Sequence, residues 1–486
     1  MNSSDPQQSL PAVLQTNAND ENQSTRIESI IQEADNHSWV NGETNGFGKS
    51  KFVLQKKGTA LAPNGSLMWK VSWSSYDPAK DRFCSFVRTS GGVNLIRNAR
   101  LYVGGKLISE TRECGQKIAL ENCFVPYDAQ VEILDEKLMG NHQYHYNSDG
   151  TLQLADDKTA SEVGFRVPNN TTTATLECSV KINQLFPVLK DTMLPSNLSS
   201  DIIIEIDWNG IWADCMVESG STGFTATQRV FDVNRPRLHL DYLSFADEIS
   251  MALDQQINSA EGMTIPYRQE VLVNSQLVGG LDAGGEAQTT DVELGFANRS
   301  VMKIYVQKVL QGNDNPLLRK TRSDGLYQEE LQLVVNNRNL YDRQVQKVSE
   351  MYSYLGQTAE KPAYILPSTY QQFGSLDANN ILNANITLPN LATKVPKTTA
   401  ITSYQGQQRY LGINLAKTRM GNDTPQNAIQ VGESPMVLRI SRNSVPNGTD
   451  EQTTSTAQQS ACNLNIWVEC VRALVIRNGM VDVINL

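Results

Sequence analysis

Leu101-Tyr-Val-Gly-Gly-Lys106 is an apolar strand followed by two glycines and a base, and 232 residues later the design returns as Leu333-Val-Val-Asn-Asn-Arg338. Gly and Asn most readily adopt the positive φ that both central positions of a type I′ hairpin turn demand. Each stretch therefore predicts an apolar strand that reverses through a two-residue turn. A second pair of stretches lies upstream in the same order. Asn64-Gly-Ser-Leu-Met68 returns as Asn298-Arg-Ser-Val-Met302, an offset of 234, and each copy leads into an alternating strand. Two matches in one order, at nearly one offset and half a chain apart, indicate an internal duplication.

Around these stretches, short Val, Ile, Tyr and Trp runs alternate with Gly, Asn, Asp and Pro from about Lys51 onward. Examples are Leu67–Trp73, Leu176–Ile182, Asp201–Asp207, Val301–Val306, Leu331–Val335, Met436–Ile440 and Leu464–Val483. This is the pattern of an all-β protein. One helix is predicted in the second half, where Val345, Val348, Tyr352 and Leu355 keep helical spacing after the capping residue Asp342. Residues 1–45 read as a polar N-terminal arm with a short amphipathic helix, since Ile27, Ile30, Ile31 and Ala34 fall at i, i+3, i+4 and i+7 and Thr25 with Glu28 fits a capping box. Its polar face is mostly acids and amides, which suits docking on protein rather than on a membrane.

The 486 residues exceed what one core holds, roughly 250 to 300 residues. The duplication places the seam at Val233-Asn-Arg-Pro-Arg237, read as a connector between strands. Residues 46–235 and 236–486 then form two tandem β domains with long polar loops at 209–229 and 367–435. At that size, two eight-stranded jelly rolls fit better than immunoglobulin-like domains of about 100 residues. Charged residues are only 19% while asparagine occupies 41 positions, a composition of loop-rich β architecture. The net charge of −10 disfavours a broad phosphate-gripping face and direct sequence-specific nucleic acid binding. No apolar run spans a bilayer and the first thirty residues lack a signal core, so the expectation is a soluble, unsecreted protein. The seven cysteines are scattered without a CxxC pair and read as buried free thiols.

Two further segments carry a family resemblance: Ile182–Asn209 (INQLFPVLKDTMLPSNLSSDIIIEIDWN) and Leu464–Leu486 (LNIWVECVRALVIRNGMVDVINL). With the duplication, they resemble the double jelly-roll major capsid proteins of icosahedral double-stranded DNA viruses, the lineage of adenoviruses, tailless membrane-containing phages, large eukaryotic DNA viruses, virophages and polinton-like viruses. In that family the first type of segment closes the first jelly roll after a Leu-Pro loop. The second closes the second roll through an apolar strand, an Asn-Gly or Ser-Gly turn and a last short strand. The resemblance implies a double jelly roll and a homotrimer with six rolls in a pseudo-hexagonal ring, placed in a capsid lattice of the virion and built inside the host cell. Its implied partners are other copies, minor capsid or penton proteins and an inner membrane.

Chemical signatures are few. Gly42–Ser50 (GETNGFGKS) resembles a phosphate loop but has Glu43 where the first glycine belongs, so it reads as a hinge. His142 and His145 are three apart without a third metal ligand. Four histidines and no GxSxG give little support for a hydrolytic triad. The pairs Asp156–Asp157 and Glu329–Glu330, and the basic run Arg319-Lys-Thr-Arg322, read as solvated loop charges. No catalytic, cofactor-binding or metal residue is assigned, and no cofactor is expected. The expected function is that of a non-enzymatic capsid protein. A tandem β-sandwich carbohydrate-binding protein or adhesin, a β-sandwich glycoside hydrolase and a viral scaffolding protein of the same fold are the alternatives.

Overall fold

The computed structural model describes residues 24–74, 76–77, 82–86, 91–122, 124, 144–146, 152–154, 173–218, 225–277, 288–310, 329–345, 348–359, 411–417, 425–442 and 462–486. The first half contributes β1 (Ser24–Glu33), β2 (Asn36–Val40), β3 (Phe47–Val53), β4 (Ser66–Ser74), β5 (Ile96–Val103), β6 (Lys106–Arg112), helix α1 (Cys114–Asn122), β7 (Thr173–Lys181), β8 (Ile202–Asn209) and β9 (Phe231–Phe245). Then come α2 (Asp247–Asn258), β10 (Met263–Leu277), β11 (Gln288–Glu293), β12 (Ser300–Leu310), β13 (Glu329–Val335), β14 (Arg338–Asn339), α3 (Val348–Ala359), β15 (Leu411–Asn414), β16 (Val437–Arg442), β17 (Cys462–Arg477) and β18 (Met480–Asn485).

Strand order reveals the duplication directly. The first half builds one sheet in the order β1-β9-β4-β7 and a second in the order β2-β3-β8-β5-β6. The second half builds β10-β17-β12-β15 and β11-β16-β13-β14. Set β2 and β18 aside and the two halves have the same order. In each, the first strand pairs with the eighth, followed by the third and sixth, while the facing sheet runs second, seventh, fourth, fifth. That is the order of an eight-stranded jelly roll, twice. The two-residue turns predicted from sequence are present in both copies. Gly104 and Gly105 have φ of 58° and 77°, Asn336 and Asn337 have 51° and 60°, and each pair joins adjacent antiparallel strands. A third such turn, Asn478-Gly479, joins β17 to β18.

Each roll has its own core. In the first, alternation along β4 and β8 sends Trp69 and Trp208 inward from opposite sheets, with ring centroids 5.5 Å apart. Trp73, Phe86, Phe231 and Trp212 stack behind them. The second core gathers Ile304 and Val306 from one sheet with Leu331, Leu333, Leu438 and Ile440 from the other. Burying side chains of this size contributes about 1.5–3 kcal/mol each, which is what holds the paired sheets together.

Three expectations change. Ser24–Glu33 is a strand, not an amphipathic helix, and the polar arm ends where this strand begins, well before residue 45. It pairs antiparallel with β9 from Ser24 opposite Phe245 to Glu33 opposite Arg237. The sequence pattern is ambiguous because Ile30 and Ala34 pack on the core in either conformation, and the hydrogen-bonding edge of β9 decides. Val233–Arg237 is no connector either. It is a bulge inside β9, with Arg235 at φ 49° and the register shifting between Asn234 and Arg237. Since β9 runs unbroken through residue 235 and stays in the first sheet to Phe245, we place the seam in α2, between strand eight of one roll and strand one of the next. The predicted second-half helix is present as α3 but starts at Val348, since Val345 is bridged to Leu331 of β13 instead.

Candidate functional site at the junction of the two rolls

The rolls are joined by more than the α2 linker. Strand β6 is an edge of the first roll, and β10 of the second lies against it. Tyr267 Oη donates to Ile108 O at 2.7 Å, and Gln269 Nε2 donates to Glu110 O at 2.6 Å. Alternation along β10 points both side chains at alternate carbonyls of β6, so an edge that would otherwise need water or a neighbour is closed. Burial pushes the Tyr267 phenol well above its ordinary value, keeping it a proton donor.

Behind this edge lies a buried polar network. Lys117 of α1 is ion-paired with Glu270 of β10, their side chains only 5% and 7% exposed. Lys117 also reaches Glu121 at 3.7 Å and sits 5.8 Å above the Tyr305 ring. Lys190 Nζ donates to Glu121 at 2.7 Å. Burial alone would raise the Glu121 carboxyl, but Lys190 and Lys117 outweigh it and hold the group below its ordinary range. Burial likewise opposes the Lys190 charge, and Glu121 reverses the effect, leaving that ammonium raised. On the second-roll side Arg268 approaches Glu469 at 3.9 Å, and Asn465 Nδ2 donates to Gln116 of α1 and, at 3.3 Å, to Gln307. An apolar cluster of Leu120, Tyr305, Leu355 and Trp467 packs beside the charges. Farther along, Ser199 Oγ donates to Gly479 O at 3.1 Å and Lys106 pairs with Asp482 at 3.5 Å.

Such a junction fixes one roll against the other. Buried charges paired this way cost desolvation, and their best-attested use is to specify one arrangement among several. The outer faces differ in character. Across the sheet containing β3, β8, β5 and β6 runs an ion-pair ladder, Lys49–Glu205 at 3.2 Å, Arg100–Asp207 at 2.7 Å, Arg100–Glu110 at 2.9 Å and Arg112–Glu110 at 3.0 Å. Exposed apolar side chains are Ile27 and Ile31 on β1, the cross-strand pair Val40 and Phe47 at the β2–β3 end of that same sheet, and Met480 and Ile484 on β18.

The residues singled out in the sequence do not converge. Gly42–Ser50 is no hinge. Gly46 N bonds to Gly42 O at 3.2 Å, Gly210 N to Gly46 O at 2.9 Å, and the following residues form β3 with Lys49 turned to Glu205. His145 lies in a short strand, Tyr144–Tyr146, opposite Gln153, whereas His142, Asp156, Asp157 and Arg319–Arg322 lie outside the described residues. Glu329 and Glu330 belong to β13, not to a loop. Cys114, Cys178, Cys215 and Cys470 are buried free thiols, and burial pushes the first two well above their ordinary values. Among the described residues, no group of three His, Cys, Asp or Glu is placed to hold a metal, and no helix is long and apolar enough to cross a membrane. Sequence reading missed the junction altogether. Its only trace was β10, where polar residues Arg268, Gln269 and Glu270 occupy both faces of a strand.

No protein-family model matches the chain, and no curated protein matches it by sequence. Solved structures do match. The capsid protein VP54 of the virus PBCV-1, fitted into a reconstruction of the virophage Sputnik, aligns with a TM-score of 0.57 at 10% identity over 94% of this chain and 97% of that one. A chain of the PBCV-1 virus capsid aligns with a TM-score of 0.56 at 12% identity over 94% and 96%. The fold is the double jelly roll of viral capsid proteins. Near-complete coverage of both chains means that the double jelly roll is matched as a pair of rolls, not one roll at a time.

Proposed function

We propose that this double jelly roll is the major capsid protein of an icosahedral double-stranded DNA virus, and that three copies close into a pseudo-hexagonal capsomer. The observation that carries the reading is the repetition of one jelly-roll order within a single chain, locked by a buried junction. Two rolls with the same order offer two similar flanks, so a threefold ring of chains presents six similar sectors to its neighbours. A rigid junction keeps those sectors in one relative orientation. No reaction is required of such a subunit, and none is assigned.

In this reading the protein resides in the virion and contacts copies of itself, minor capsid or penton proteins and an inner membrane. The net charge of −10 suits a shell whose lining is not the genome itself. Light scattering coupled to size exclusion tests the trimer. Three chains of 53.9 kDa give about 162 kDa. A monomer that binds glycans would overturn the proposal in favour of a carbohydrate-binding protein.

A further inference from the structure

Strand β1 is ten residues long and lies at the edge of its sheet. One side is hydrogen-bonded to β9, and no strand lies on the other among the described residues. Natural edges of this length are protected by charged side chains, above all Lys, by Pro, by a central bulge, by shortness or by a covering element. Four of the other edges of this molecule follow that rule. Tyr267 and Gln269 close β6, β10 carries Pro266, β14 has two residues, and β15 has four and is covered by α3, whose Thr358 lies against Gly412. In contrast, β1 contains neither Pro nor Lys, its charges Arg26 and Glu33 lie towards its ends while Glu28 is paired with Lys57, and its bulge falls at its first residues, between Ser24 and Arg26. It also exposes two isoleucines on its outer face, Ile27 at 60% and Ile31 at 64%.

The strand is complementary to itself. Antiparallel pairing with a second copy, centred on Ser29, sets Ile27 opposite Ile31 at two symmetric places. The same register sets Arg26 opposite Gln32 at both ends. Like charges never face one another, and Glu28 is already neutralised by Lys57. A dyad perpendicular to the sheet keeps outer faces together, so the four isoleucines form one apolar patch across the seam.

We propose that β1 pairs with β1 of a second copy about a twofold axis, extending the first-roll sheet from one molecule into the next. Such a contact is isologous and cannot lie inside a threefold ring, whose contacts are heterologous. Resting on the capsid reading above, it therefore joins one capsomer to a neighbour. Centring on Ser29 makes a sharp test, because only that residue faces its own copy.

Full-length Ser29→Cys, concentrated and mildly oxidised, should give a disulfide-linked pair of chains on non-reducing gels, while Glu33→Cys and the unmodified protein should not. Ile27→Lys with Ile31→Lys should leave the mass of about 162 kDa unchanged while abolishing the Ser29→Cys cross-link and any larger species. Absence of the Ser29→Cys cross-link would overturn the proposal. Lost association without that cross-link would mean that another protein's strand occupies the edge, which also overturns it. A protein that never reaches the trimer mass yet cross-links through Ser29→Cys would refute the capsomer reading and leave the dyad standing.

Discussion

The hydroxyl of Tyr267, in the second roll, donates to the carbonyl of Ile108, in the first, across 2.7 Å. That bond closes a strand edge, and Gln269 repeats it one pleat further on. The rolls are therefore coupled by second-roll side chains capping backbone that the first roll would otherwise expose. Tyr267→Phe should leave the Ile108 carbonyl buried and unpaired at a cost of about 1–3 kcal/mol, seen as a lower thermal midpoint. An unchanged midpoint would mean that the edge is not closed by this bond.

Lys117 and Glu270 should behave as a unit. Removing Lys117 strands the Glu270 carboxylate in the interior, so Lys117→Met should cost about 3–5 kcal/mol, whereas Glu270→Met leaves Lys117 facing Glu121 and should cost less. The double variant should recover most of that loss. Denaturant titrations arranged as a double-mutant cycle read the coupling, and strictly additive costs would disprove it.

Acid should loosen the junction through Glu121. Burial would raise its carboxyl, yet Lys190 and Lys117 hold it below the ordinary value of 4.5. Because the folded state binds the proton less readily than the unfolded one, the stabilisation is complete above the ordinary value and disappears as pH falls through the folded one. Glu121→Gln should thus be less stable than the parent at pH 7, and the gap should close on acidification below about pH 4. A gap that widens in acid would reverse the assignment.

The paired turns make a fourth case. Gly104 has φ 58°, and an added Cβ would lie 3.0 Å from Ser200 Oγ. Gly104→Val should cost about 1–2 kcal/mol from backbone strain alone, with further loss from the contact. Asn337 has φ 60° and its Nδ2 donates to Ser434 Oγ at 3.1 Å in an exposed setting, so Asn337→Gly relieves strain, loses one solvent-exposed hydrogen bond and should be near neutral. Asn336 is different, since its Oδ1 accepts from Gly432 N at 2.6 Å, and Asn336→Gly should destabilise. Thermal midpoints of the three variants check the order.

What the sequence determined by itself follows from local rules. Gly104-Gly105 and Asn336-Asn337 had to be turns because few other residues tolerate positive φ, and their matched strands announced the duplication. Alternation along Leu67–Trp73 and Asp201–Asp207 set which residues face the cores. Strand-length runs and the strand period sufficed for the fold class. The tertiary structure decided whatever depends on a distant partner. Ile27, Ile30, Ile31 and Ala34 fit a helix as well as a strand until the edge of β9 is present to pair with them. Val233–Arg237 reads as a linker until its neighbours in β4 show it to be a bulge. Lys117 and Glu270 lie 153 residues apart, and nothing local marks them as partners. A buried ion pair is a property of two surfaces brought together, so it appears only once both rolls have folded and docked.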